Sequence, residues 1–160
     1  MAVTRTVLPH MRQQHGGRVI FMNAIGGILT TAFLGAYCAS KHALDCIAAV
    51  FDLELRPFGI RVSSVYPSAF RTAMSANNAI VTGEGTPYHD ATRAYHQGLS
   101  ERIRNGPSDL SPVANAVIDA AINPDPPLRY AVAPHLADVL APALQALDQL
   151  HERELGVTPH

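Results

Sequence analysis

Tyr37 and Lys41 stand four residues apart in the stretch Tyr37-Cys38-Ala39-Ser40-Lys41. On a helix that spacing puts both side chains on one face. A cation beside a phenol favours the phenolate, so the pairing predicts a lowered pKa for Tyr37. Such a phenol can give and take a proton near neutral pH, as the interconversion of an alcohol and a carbonyl requires. A tyrosine four residues before a lysine is a weak signal alone, because most such pairs are surface neighbours. Its weight depends on the elements that hold it.

Those elements can be read from the chain. No glycine or proline interrupts residues 36–55, and Ala39, Ala43, Ile47 and Val50 recur at helical spacing beside Leu44, Ala48, Phe51 and Leu55. Gly35 before the run and Arg56-Pro57-Phe58-Gly59 after it are start and stop signals, which predicts a helix over residues 36–56. Residues 18–22 and 61–66 are short runs with the composition of buried parallel strands. In open parallel sheets ligands sit at the carboxyl ends of the strands. The loop at residues 23–35 and the turn after Tyr66 are therefore where chemistry is expected. Residues 2–14 carry Val3, Val7 and Met11 on one helical face, with Pro9 inside the pattern. An interior proline costs about 3 kcal/mol, so the helix is expected to end or bend there.

Three stretches taken together go further: residues 17–27 (GRVIFMNAIGG), residues 37–44 (YCASKHAL) and residues 59–67 (GIRVSSVYP). They resemble the short-chain dehydrogenase/reductase family, and the likeness runs from the start of the chain to the last predicted strand near Val132. The resemblance implies an α/β fold, here the C-terminal half of a Rossmann-like, doubly wound parallel sheet of about three strands with flanking helices. It implies an NAD- or NADP-dependent oxidoreductase acting on a small-molecule alcohol or ketone. Tyr37 would be the acid–base group, and Lys41 would lower its pKa and hold the nicotinamide ribose. Pro67 would open the turn after the strand, and Thr72 would lie near the carboxamide. The family's serine, which hydrogen-bonds the substrate oxygen, falls on Ala24. A methyl group donates nothing, and a donor lost at such a site is worth about 3 kcal/mol, or a hundredfold or more in rate. Asn23 is a weak substitute, since successive strand residues face opposite ways; Thr30 and Thr31 are weaker still. Ser68 replaces the turn's usual glycine, and serine tolerates a positive φ poorly.

The remaining chain reads more blandly. Residues 73–108 are rich in small and polar residues, with a weak helical pattern over 91–103, and correspond to the family's substrate-covering segment. Ser111-Pro112 is an N-cap and first-turn pair for a helix to about Ile122, with Val113, Ala116, Val117 and Ala120 as its buried stripe. Asn123-Pro124-Asp125-Pro126-Pro127 links it to a last strand over residues 128–132. Over residues 135–155, Leu136, Leu140, Ala143, Leu147 and Leu150 predict an amphipathic tail interrupted near Pro142. Cys38 and Cys46 are expected to be small packing residues, and His42 an ordinary surface residue. His89 and His96 share a helix face without a third ligand, so no metal site is expected. No heptad array or repeat is visible.

Charged residues make up only 16% of the chain and the net charge is −1, so neither nucleic acid nor an anionic membrane is an expected partner. No apolar run approaches membrane-spanning length, no signal-peptide pattern is visible, and the expected location is cytoplasmic. A hydrolase reading fails for want of a Gly-x-Ser-x-Gly elbow. A dinucleotide cradle needs a glycine-rich turn feeding a helix N-terminus, and none follows a strand here. The family's first four strands, and the asparagine of its proton relay, are expected to lie outside these 160 residues. The whole then reads as one partial domain over residues 1–160. Its first strand would be an apolar sheet edge that calls for a homo-oligomer or a complementing chain. Two readings stand: an oxidoreductase whose activity needs its other half, and a non-catalytic remnant serving oligomerisation or ligand binding.

Overall fold

Apolar runs with strand composition and the long uninterrupted helix between them form the centre of the molecule. The computed structural model describes residues 2–73, 82–133 and 137–154. Expectations that fall on residues 74–81, on His135 and on Leu136 lie outside the described residues. In chain order the elements are α1 (Ala2–Gln13), β1 (Gly17–Met22), α2 (Gly35–Leu55), β2 (Ile60–Pro67), α3 (His89–Arg104), α4 (Ser111–Ile122), β3 (Arg129–Val132) and α5 (Ala137–Glu154). The three strands form one parallel sheet in the order β1-β2-β3. Gly17 pairs with Ile60 and Met22 with Val65; Ser64 pairs with Arg129 and Pro67 with Val132. Among the described residues β1 has a single strand partner, so its far side is the sheet edge that the sequence predicts.

Adjacent residues of β3 show which helices cover which face, because successive side chains of a strand point opposite ways. Arg129 reaches Asp45 on α2 and Asp148 on α5, whereas the Tyr130 hydroxyl donates to Asp119 on α4 at 2.6 Å. Helices α2 and α5 thus lie on one face and α4 on the other, the double covering that parallel sheets require. The core on the α2 face joins Leu8, Ala48, Leu55, Ile60 and Val62, with Val19, Phe21 and Phe51 packed against them. Gly59 makes the turn into β2. Its φ of 72° is left-handed, and a Cβ there would stand 2.5 Å from the His15 carbonyl oxygen.

Several expectations are corrected. Helix α1 runs through Pro9, and α5 runs through Pro142. Both prolines lie on exposed faces; at Pro9 the carbonyl left without a donor belongs to exposed Arg5 and can bond water. The buried side of α1 is Leu8, flanked by half-buried Thr4 and Met11, while Val3 and Val7 are exposed. On α2 the predicted stripe is displaced: Ala39, Ala43, Cys46 and Val50 are exposed, and Cys38, Ala48, Ala49, Asp52 and Leu55 are buried. Cys46 is therefore not a packing residue of this fold, whereas Cys38 is. Leu140 and Leu144 are the buried leucines of α5, and Leu147 and Leu150 face outward. Ser111 does not cap α4: its N–H is held by the Asp109 carboxylate at 2.9 Å, and Leu110 holds the cap position. That bonding to Ser111 keeps the Asp109 carboxyl below its usual range.

Candidate active site

The carboxyl ends of the strands lie side by side, and the predicted site residues gather along that edge. The Asn23 N–H donates to the Val65 carbonyl at 2.9 Å and the Ser68 N–H donates to the Val132 carbonyl at 3.1 Å, which ties the three strand ends together. After β1 the chain makes a 3-10 turn, Ile25–Gly27, that packs against the first turns of α2. Asn23 is buried at that junction. Its Nδ2 donates to the Lys41 carbonyl at 3.3 Å, and its Oδ1 accepts the Ala24 N–H at 3.0 Å. That geometry gives Asn23 a structural part, with its amide turned to the backbone of the loop and of α2. Ala24, half-buried, begins the turn that brings the loop against α2.

Tyr37 and Lys41 sit at the start of α2, where the loop delivers the helix to the carboxyl edge. Tyr37 is 39% exposed and therefore reachable by a ligand. Gly26 lies under its ring, so close that a Cβ there would meet Tyr37 Cε1 at 2.9 Å. The Lys41 Nζ stands over the face of that ring, 5.9 Å from its centroid, a cation–π arrangement. The expected lowering of the Tyr37 pKa is reversed. Partial burial raises it above its ordinary value and the Cys38 sulfur beside it adds to the rise. The neutral phenol is favoured, and as an acid it is weaker than an ordinary tyrosine. His42 is half-buried, with Nδ1 2.9 Å from the Cys38 carbonyl.

The turn after β2 runs through half-buried Pro67 and Ser68 to exposed Thr72. Ser68 is not among the residues with positive φ, so the serine in place of glycine carries no backbone strain. The turn is held by Phe70 N–H to the Ser68 carbonyl at 3.0 Å and by Arg71 N–H to the Pro107 carbonyl at 2.9 Å. Among the described residues no group of three or more His, Cys, Asp or Glu could hold a metal ion. No helix of the described residues is long and apolar enough to cross a membrane.

Sequence reading missed the polar cluster beneath this edge. Asp45, one turn along α2 from Lys41, accepts Arg129 Nε at 2.7 Å and Nη2 at 2.9 Å, and it also accepts the Tyr66 hydroxyl. Arg129 Nη1 continues to Asp148 on α5. Burial alone would lower the Arg129 pKa, but Asp45 and Asp148 outweigh it and hold the guanidinium charged. Burial, then the bond to Asp45, pushes the Tyr66 phenol well above the usual range. A fully buried carboxylate, Asp52, accepts the Val62 N–H at 3.0 Å and pairs with Arg56. Asp45 and Arg129, 84 residues apart, leave no local pattern, whereas Asp52 and Arg56 stand at the four-residue spacing of a helical ion pair.

A family model described as short chain dehydrogenase matches residues 1–80. The chain belongs to that family. A short-chain dehydrogenase structure from Streptomyces avermitilis superposes with a TM-score of 0.71 at 31% identity, over 94% of this chain and 54% of that one. A short chain dehydrogenase/reductase from Burkholderia phymatum, solved in complex with NAD, shares the fold with a TM-score of 0.56 at 20% identity, over 98% of this chain and 55% of that one. Among curated proteins, a 3-ketodihydrosphingosine reductase of Bacteroides thetaiotaomicron is 32% identical over 81% of this chain and 49% of its own length. Mouse 17-beta-hydroxysteroid dehydrogenase type 1 is 32% identical over 77% of this chain and 37% of its own. The chain spans about half the length, or less, of these curated relatives.

Proposed function

We propose that this chain supplies the catalytic half of an NAD- or NADP-dependent short-chain oxidoreductase that interconverts an alcohol and a carbonyl. The observation that carries the reading is Tyr37, reachable at the carboxyl edge of the sheet with Lys41 over its ring. In the reducing direction the Tyr37 phenol donates its proton to the carbonyl oxygen, and in the oxidising direction it takes that proton back. The raised pKa makes that phenol a weaker acid than an ordinary tyrosine, so the reading stands on position and exposure rather than on the titration. Lys41 beside Tyr37 would hold the nicotinamide ribose, and Thr72, exposed after the Pro67 turn, would lie near the carboxamide. NAD or NADP, when bound, supplies or accepts the hydride at the substrate carbon. The glycine-rich cradle would come from the half that the relatives carry beyond this region, in the same polypeptide or a complementing chain.

Exposed apolar side chains beside the site (Leu29, Phe33 and Tyr37 itself) favour a substrate with an apolar body. The sphingoid and steroid names of two relatives agree with that class. A homo-oligomer built on the exposed stripe Ala39, Ala43, Cys46 and Val50 of α2 would bury small side chains close-packed against a second copy. The expected location is cytoplasmic.

One observation favours a second reading. Ala24 puts a methyl group where the family's serine would hold the substrate oxygen, as a non-catalytic remnant kept for ligand binding or oligomerisation would allow. The intact mass of the native protein comes first, then oxidation of NADH and NADPH with an apolar ketone. Turnover abolished by Tyr37→Phe supports the enzyme. No turnover in a protein whose native mass matches these 160 residues supports the remnant.

A further inference from the structure

Phe33 is one of two non-glycine residues with a positive φ among the described residues, at 61°. A bulky side chain in the left-handed region is an outlier that surrounding contacts must hold, and such outliers cluster at working sites. Phe33 lies four residues before Tyr37, just ahead of α2, and is 44% exposed. What the ring touches is on another element. Its centroid is 5.7 Å from that of Tyr95 on α3, at an interplanar angle of 48°. Tyr95 is in turn organised by its own helix: His96 meets it edge-on at 5.6 Å, and the Arg102 guanidinium stands 6.0 Å over its ring.

We propose that Phe33 and Tyr95 form an aromatic latch that fastens α3 to the mouth of the site at the start of α2. This rests on the reading of α3 as substrate-covering only for its consequence; the latch itself is a statement about which ring positions which helix. The left-handed backbone aims the Phe33 ring at α3. Apart from this ring contact, α3 leans on the rest of the chain weakly: Thr92 is its one buried residue among those described. An aromatic pair of this kind shifts an opening equilibrium roughly two- to tenfold. That suits a cover which must lift to admit a substrate and settle again. If α3 covers the substrate, Phe33 is a positioning residue of the cover, and the opened ring pair offers an apolar substrate body a flat wall.

Amide hydrogen exchange on this chain tests the latch without any appeal to activity. Phe33→Gly keeps the left-handed backbone and removes the ring; Tyr95→Ala removes the other ring. Each is expected to reduce protection across His89–Arg104 two- to tenfold and to leave the β1–β2 amides unchanged. The double variant is expected to be no worse than either single, since one contact is shared, and Tyr95→Phe is expected to behave as the native chain. Phe33→Ala should be less stable than Phe33→Gly, the reverse of the usual order, because only glycine relieves the φ. Unchanged protection of α3 in Phe33→Gly, additive losses in the double variant, or equal losses in the β1–β2 amides would each overturn the latch.

Discussion

One helix, α2, is built in two manners. Its first turns carry Tyr37 and Lys41 at an open edge, where a cation rests on a ring and a loop packs beneath. Farther along, the same helix half-buries Asp45, buries Asp52, and ties both to arginines of the strands and of its own end. The Arg129 side chain is 2% exposed, with carboxylates on two helices. The lower helix is clamped by ions that cannot move without loss, and the upper helix is free to meet a ligand. Rigidity is supplied one to four turns below the chemistry, which lets the site itself stay half-open.

That contrast can be broken most forcefully at Arg129. Arg129→Ala leaves the half-buried Asp45 and Asp148 without their cation, and losing so buried a partner costs about 3 kcal/mol, the low end for a buried pair. Urea unfolding should show that loss or an unfolded chain, whereas Lys41→Ala should change stability by less than about 1 kcal/mol. Equal losses at both positions would erase the distinction between the two ends of α2. Next in size is Ala24→Ser, which restores a donor to the loop beside α2. With the cofactor-holding half present, carbonyl reduction is expected to rise about a hundredfold, near 3 kcal/mol in the barrier. The melting temperature should hardly move. A serine that leaves turnover unchanged would mean that residue 24 does not face the substrate oxygen.

A smaller effect separates the clamp by pH. Tyr66 donates to Asp45, and its phenol titrates well above the unfolded value of 10.0. A folded-state pKa raised in this way contributes stability fully present below pH 10 and lost as pH climbs past it. Tyr66→Phe gives up a hydrogen bond to a charged group, about 1.5–3 kcal/mol at pH 7. The variant and the native chain should then converge as unfolding is measured above pH 10. A gap that stays constant to pH 11 would remove Tyr66 from the clamp.

How legible was this division? The strands, α2 and the Tyr37–Lys41 pairing are written in local patterns: apolar runs, an unbroken helix and a four-residue spacing. The clamp is not, because Asp45 and Arg129 meet across 84 residues and neither sits in a motif. The lowered phenol pKa failed for a related reason. Spacing puts Lys41 on the right face of the helix, but only packing decides whether its ammonium meets the phenol oxygen or the ring. Prolines 9 and 142 misled because their cost depends on what covers the freed carbonyl, which is a property of the fold. The left-handed turn at Phe33 has no sequence signal, since phenylalanine is a poor residue for it.

The least costly expected change is the most telling about the upper end. Gly26→Ala would place a Cβ 2.9 Å from Tyr37 Cε1, closer than packed atoms come. The obstacle is the rim of a half-exposed ring, which can swing outward, so the loss of stability should stay within about 1 kcal/mol. At Gly59 the obstacle is the His15 backbone carbonyl and the φ is already left-handed. Gly59→Ala therefore faces both a rigid wall and a strained backbone, and should cost more, about 1–3 kcal/mol. Denaturant midpoints of the two variants give the comparison directly. The ring itself can be followed by the Tyr37 NMR shifts, which should move in Gly26→Ala and stay fixed in Gly59→Ala. A Gly26→Ala chain as unstable as Gly59→Ala would mean that the Tyr37 ring is locked, and that the proton donor is held as firmly as the ions beneath it.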